Sequence, residues 1–153
     1  GCIMAVGNQI NLRINKIRDD LANTSSIFSI IPNKDETVTN IQVDTSGNKI
    51  AVIIPKETYS IYYNMSGNLD IQPLMHSILI IPSLVYALTE VKESRTHLYD
   101  YEDYRWFRSL RKAAEKMNIS FTEESLENIE PFDLAQKLMD SPIPKAVDYL
   151  GGE

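Results

Sequence analysis

The stretch that decides the fold is DIQPLMHSILIIPSLVYALTE, which runs from Asp70 to Glu90 with nineteen uncharged residues between those two acids. Apolar residues recur within it at steps of three and four, a spacing typical of one face of a helix. Other apolar residues, such as Leu79 and Leu84, lie on the remaining sides. The pattern therefore predicts a helix that is buried on most of its faces. The residues of the main face are Ile71, Leu74, Ile78, Ile81, Val85 and Leu88.

A membrane-spanning helix is the first alternative, because such a helix needs about twenty mainly apolar residues. Only twelve of residues 71–89 are apolar, and the others include two prolines and a histidine. The immediate neighbours of the segment are acids, so no cation orients it. The sequence therefore predicts a soluble domain without membrane affinity.

The two prolines bear on the geometry of this helix. Either Asn68 or Asp70 is suited to cap its start, which places Pro73 in the first turn, where proline breaks few hydrogen bonds. Pro82 removes a backbone donor inside the helix and predicts a kink there. The alternative is a strand at Ser77–Ile81, followed by a new helix that begins at Pro82.

Upstream of residue 69 the sequence favours strands. The runs CIMAV and QINLRIN flank Gly7-Asn8, a pair typical of a hairpin turn. The run KIRDDLAN favours a short helix, and SIFSII favours a strand that ends at Pro32. A second hairpin is predicted from TNIQV and KIAVIIP, and its second strand is apolar on both faces, which favours a central position. The run ETYSIYYNMSGN fits either a strand or a short helix.

Downstream of residue 69 the sequence favours helices. Residues 100–117 form the clearest one, with an apolar stripe that includes Leu110 and with Trp106 expected to be substantially buried. Asn118 is suited to end it. Two further helices are expected to begin at Pro131 and at Pro144, because proline is favoured in the first turn. Strands followed by helices predict an α+β fold in which helices cover one side of a mainly antiparallel sheet.

The size and charge of the chain set further bounds. Its 153 residues suit a single domain, mainly β over 1–69 and mainly α over 70–153. The net charge is −6, and residues 118–153 alone contribute two lysines against eight acids, which is also −6. This acidity weakens the hypothesis of nucleic-acid binding.

A single cysteine, Cys2, excludes an intrachain disulfide and favours a cytoplasmic protein. Because position 1 is glycine, the chain is expected to be a piece of a longer protein.

The residues that usually carry catalysis are few. His76 lies in the apolar helix and His97 in a polar link, and neither fits the spacing of a metal-ligand motif. Cys2 has no neighbouring histidine to activate it. No glycine-rich loop precedes a helix in the form that holds phosphates. We therefore predict no enzymatic activity, no cofactor and no metal, with an enzyme of unrecognised site as the third hypothesis for function.

One group of residues stands above this background, namely Arg105, Arg108 and Lys112, with Tyr101 nearby. Arginine beside aromatic residues is enriched at protein interfaces. The leading hypothesis is a non-catalytic protein-interaction or assembly module, which binds a protein partner or associates with itself. The alternative is a nucleic-acid-associated regulatory domain that uses the cations of residues 105–116. A third interpretation is purely structural: the aromatic rings pack inward and nearby acids neutralise the cations.

Overall fold

The computed structural model describes residues 27–152. Within this range the fold is α+β, with a three-stranded mixed sheet and mostly helical structure. The α+β class is confirmed. The hairpin predicted around Gly7-Asn8 and the short helix predicted for KIRDDLAN lie outside the described residues.

The sheet contains β1 (Phe28–Pro32), β2 (Gln42–Asp44) and β3 (Ile50–Ile54) in the order β1-β3-β2. The central place of β3 agrees with its apolar character, since Ile50, Val52 and Ile54 are all buried. The β2–β3 pair is antiparallel, but β1 pairs with β3 in parallel. The prediction of a mainly antiparallel sheet is therefore wrong for the described strands. The second predicted hairpin corresponds to the antiparallel β2–β3 pair, but β1 lies parallel on the other side of β3, so the description as two hairpins in an antiparallel sheet is not confirmed.

Helix α1 (Lys56–Met65) follows β3 directly and resolves the ambiguous stretch ETYSIYYNMSGN as a helix. Helical structure therefore begins at Lys56 and not after residue 69. None of the residues of α1 is fully buried, although Tyr59 and Tyr62 pack against the core.

The predicted long helix is a continuous helical segment, Leu69–Glu93, here called the central helix. It opens with a 3-10 turn at Leu69–Ile71, where the side chain of Asn68 accepts a hydrogen bond from the amide of Asp70. It continues as α2 (Gln72–Met75), a π-helical turn (His76–Ile80) and α3 (Ile81–Glu93). The alternative of a strand at residues 77–81 is wrong.

The kink predicted at Pro82 is not confirmed. The structure has instead a wide turn just before this proline, in which the amide of Ile81 donates to the carbonyl of His76, five residues earlier. Such π turns interrupt the regular hydrogen-bond ladder of a helix, as a proline does. Pro82 therefore stands in the first turn of α3, where its missing N–H costs little.

By length and composition alone, the central helix is able to cross a membrane. However, 44% of its most apolar window is buried inside the fold, and the core helix of a soluble protein passes the same test. The absence of membrane affinity therefore stays a prediction.

The remaining helices surround the central one. A 3-10 segment, Arg95–Tyr101, leads to α4 (Arg105–Glu115), which begins later than the predicted residue 100. They are followed by α5 (Glu123–Glu127), α6 (Pro131–Leu138) and α7 (Pro142–Leu150). Pro131 opens its helix as predicted, whereas α7 begins two residues before the predicted Pro144, because Pro142 takes the first-turn position.

A single hydrophobic core joins the sheet, the central helix and the later helices. Helix α3 packs mainly against α6, and α7 lies along the first half of the central helix. The side chain of Trp106 is completely buried, as predicted. The largest side chains with almost no exposed surface are Trp106, Phe107, Ile27, Ile50, Ile54, Ile80, Leu84, Leu110 and Leu126.

Candidate interaction site on helix α4

Helix α4 has two sharply different sides. Its inner side inserts five residues into the core, and they carry no charge: Trp106, Phe107, Leu110, Ala113 and Ala114. Its outer side carries charged residues at helical spacing. A helix with so clear an apolar face is held by tertiary packing, so its outer side has a fixed orientation.

The N-terminus of α4 is held by the loop between β2 and β3. Its N-cap residue, Tyr104, makes no side-chain cap bond. Asn48 supplies the cap instead: its side-chain oxygen accepts from the amide of Arg105 at 3.2 Å, and its carbonyl accepts from the amide of Trp106 at 3.1 Å. The indole Nε1 of Trp106 also donates to the carbonyl of Thr45 at 3.1 Å. The two bonds to Asn48 satisfy backbone donors that a helix start leaves unpaired.

An aromatic cluster supports the helix from behind. Tyr104 stacks on Trp106, with 6.0 Å between the ring centroids. Tyr101 packs against Tyr104, Trp106 and Phe107, at 6.0, 5.8 and 5.6 Å between ring centroids. Its hydroxyl lies 3.1 Å from that of Ser94. Tyr101 was predicted as a surface residue beside the cations, but it is half-buried and belongs to this supporting cluster.

Arg105, Arg108 and Lys112 lie together on the exposed side of α4, and we call them the cationic face. None of the three forms an ion pair with another residue in the range 27–152. Arg108 donates from Nη1 to the carbonyl of Glu102 at 2.7 Å, and its charge also interacts with the carboxylate of Glu102, whose pKa it helps to lower. The purely structural interpretation is supported for Trp106 and Phe107, which are buried, and stays open for these cations.

Arg111, at the edge of this face, is neutralised. It forms an ion pair with Glu102 at 2.5 Å, and its guanidinium lies over the ring of Phe107, 5.2 Å from the centroid. The hydrogen bond from Arg111 holds the pKa of Glu102 below its ordinary value. Lys116 also has a partner.

Carboxylates surround the cationic face. Glu102 and Asp103 stand just before α4, Glu115 is its last residue, and all three are exposed. The exposed positive surface is therefore short. A second cluster of exposed acids lies on α5, at Glu123, Glu124 and Glu127.

A shallow groove of about 370 Å³ lies between α3 and the start of α6. Val85 and Phe132 give it an apolar lining, and Lys92 and Arg95 are balanced by Glu93 and Glu130. The ammonium of Lys92 donates to the carbonyl of Ile129 at 2.7 Å, and Arg95 donates to that of Lys92 at 3.0 Å. These bonds have a structural role, and the balanced charges favour no class of ligand.

The two histidines lie in different elements of the fold. His76 is half-buried in the π turn and has an interaction partner, while His97 is exposed in the 3-10 segment. Among the residues that the structure describes, no group of three or more His, Cys, Asp or Glu side chains is placed to hold a metal ion. Cys2 lies outside that range.

Sequence reasoning missed Asn48 and Thr45, which position α4 from a distant loop. Their separation from α4 is 57 and 61 residues. A local sequence pattern does not predict such a long-range hydrogen bond. The poor N-cap residue Tyr104 is the one signal, because it indicates that the first amides of the helix need an acceptor from another part of the chain.

Comparisons with known proteins give no relative: no family model, no curated protein and no solved structure matches this chain.

Proposed function

We propose that this chain is a non-catalytic interaction module that binds a protein partner through the cationic face of α4. The observation that carries the proposal is the combination of three exposed cations, which form no ion pair within residues 27–152, with a helix that is packed against the core on its other side. Burying unpaired surface cations beside a partner's carboxylates gains charge-assisted hydrogen bonds, and a rigid helix loses little entropy on binding.

Nucleic acid is the less favoured partner for two reasons. Single strands are bound mainly by stacking of bases on exposed aromatic rings, but the aromatic residues of α4 itself, Trp106 and Phe107, are fully buried, and the exposed ring of Tyr99 lies outside the helix. Duplexes need a long positive surface, because their charges repeat about every 1.7 Å along the axis. The cationic face has carboxylates on both flanks, and the net charge of −6 opposes a long polyanion.

The cellular setting that we propose is the cytoplasm, where a single cysteine and the lack of an intrachain disulfide are ordinary. Self-association is a special case of the proposed function, in which the partner is a second copy.

Site-specific photo-crosslinking inside cells of the native source tests the proposal. A photoreactive residue at position 108 is expected to give a protein adduct, whereas the same residue at exposed position 137, on α6, gives none. Adding Arg105→Gln and Lys112→Gln to the position-108 variant is expected to abolish the adduct. No adduct at 108, an equal adduct at 137, or an adduct that nuclease removes would contradict the proposal.

A further inference from the structure

The length of the cationic face limits what fits it. Arg105 and Lys112 are seven residues apart, which is about 10 Å along a helix at about 1.5 Å per residue. Arg108 lies between them on the same side, three residues from Arg105 and four from Lys112. The three cations therefore form one stripe of about two helical turns.

The acidic residues on both flanks of the stripe limit the length of the partner further. A partner that extended beyond it with negative charge would meet Glu102 and Asp103 at one end and Glu115 at the other. Like charges brought together across an interface cost free energy, so such flanks select against long anionic partners. A short acidic patch of matching length avoids this repulsion.

The chemistry of the cations selects the anion. Two of the three are arginines, whose planar guanidinium binds a carboxylate through two parallel hydrogen bonds. Arg108 is already held in one orientation by the carbonyl of Glu102. Carboxylates at positions i, i+3 or i+4, and i+7 of a partner helix span the same distance of about 10 Å.

We infer that the cationic face binds a short acidic segment of a protein, in helical form, that presents three carboxylates along one side. This inference rests on the proposed function and adds the chemical class of the partner. Because the charges on both sides are exposed before binding, the interaction is modest in affinity and weakens with salt.

Defined peptides test the inference with the full chain. The probe is a fluorescent helical peptide with Glu at i, i+4 and i+7. A second peptide has Gln at those three positions, and a third has the three Glu residues spread around the helix. Single- and double-stranded oligonucleotides are titrated in parallel by anisotropy, at about 50 and 200 mM salt. We expect the first peptide to bind most tightly and to weaken as salt rises.

Two protein variants with equal charge change locate the binding. The face variant carries Arg105→Gln, Arg108→Gln and Lys112→Gln. The matched control carries Lys34→Gln, Lys137→Gln and Lys145→Gln, which are all exposed lysines outside α4. Three exposed charge pairs together account for about threefold to a hundredfold in affinity. The face variant is expected to lose at least about threefold, and the control to stay within about twofold of the parent.

Several results would overturn the inference: equal losses in both variants, equal binding of the three peptides, or tighter binding of an oligonucleotide. The last would make the face a nucleic-acid site. If no peptide binds but position 108 still gives its adduct in cells, the acidic-helix inference fails while the proposed function stands. Circular dichroism of both variants confirms that a loss does not come from unfolding.

Discussion

Replacing Trp106 by alanine is the strongest perturbation of the element that carries the candidate site. The indole has no exposed surface, contacts Tyr101, Tyr104 and Phe107, and donates one hydrogen bond to the carbonyl of Thr45. Truncation of a buried aromatic residue to alanine costs about 3–5 kcal/mol. At about 2–4 °C per kcal/mol for a chain of this size, the expected fall in melting temperature is about 6–20 °C.

A second substitution separates packing from hydrogen bonding. Trp106→Phe keeps most of the ring contacts but removes the Nε1 donor, which leaves the Thr45 carbonyl without this partner. Its expected cost is about 1–3 kcal/mol, since an unmade buried hydrogen bond costs about that much. Because it is the milder change, it remains measurable if the alanine variant fails to fold.

Far-UV circular dichroism is the assay for both variants, because the chain has a single tryptophan and both variants lose its fluorescence. In the parent, that fluorescence provides an independent check: a buried indole emits at shorter wavelength and resists quenching by acrylamide. A Trp106→Ala variant that melts within about 2 °C of the parent, or a parent indole that acrylamide quenches freely, would refute the burial on which the site rests.

Three further predictions concern single interactions. The bond from Arg111 lowers the pKa of Glu102, so the ion pair stabilises the fold above the ordinary value of 4.5 and stops doing so as pH falls through the lower folded value. Glu102→Gln should therefore lower the melting temperature slightly at pH 7 but not at pH 2. A difference that persists in acid would exclude the ion pair as its cause. Thr122→Ala removes the cap oxygen that accepts from the amide of Ser125 and should cost about 1 kcal/mol in urea denaturation, while Thr122→Ser stays close to the parent. Asn48→Ala removes the side-chain acceptor at the start of α4 and should also cost about 1 kcal/mol, with faster hydrogen exchange at the amide of Arg105; unchanged exchange there would contradict the capping role.

Local patterns predicted much of the helical part. The predicted face of the central helix is confirmed only in part: Ile71, Ile81 and Leu88 are buried, but Ile78, in the π turn, is 51% exposed. Asn118 has φ 63 in the turn after α4, a conformation that asparagine tolerates and that ends a helix. Pro131 begins its helix because a first-turn position does not need its N–H.

The errors have a common physical origin in non-local contacts. Alternation along a strand gives its buried side but not the direction of its neighbour, so the parallel pairing of β1 and β3 was not visible. Tyr101 has the composition of an interface residue, but its ring is used within the molecule. Helical spacing alone places the three cations on one side, so the sequence was enough to find them. The loop that positions their helix is distant in sequence and was not found.

The order of folding follows from the contacts between Asn48 and the start of α4. The β2–β3 hairpin is local and closes early, whereas the bonds to α4 join residues 57 positions apart and must wait for a much larger loop to close. We therefore expect the hairpin to act as a template on which α4 docks late. A nascent chain would hold its cations in a fluctuating helix until then, and a peptide of residues 100–117 alone would never acquire the fixed orientation. Binding of a partner through α4 would thus require that the sheet has already formed.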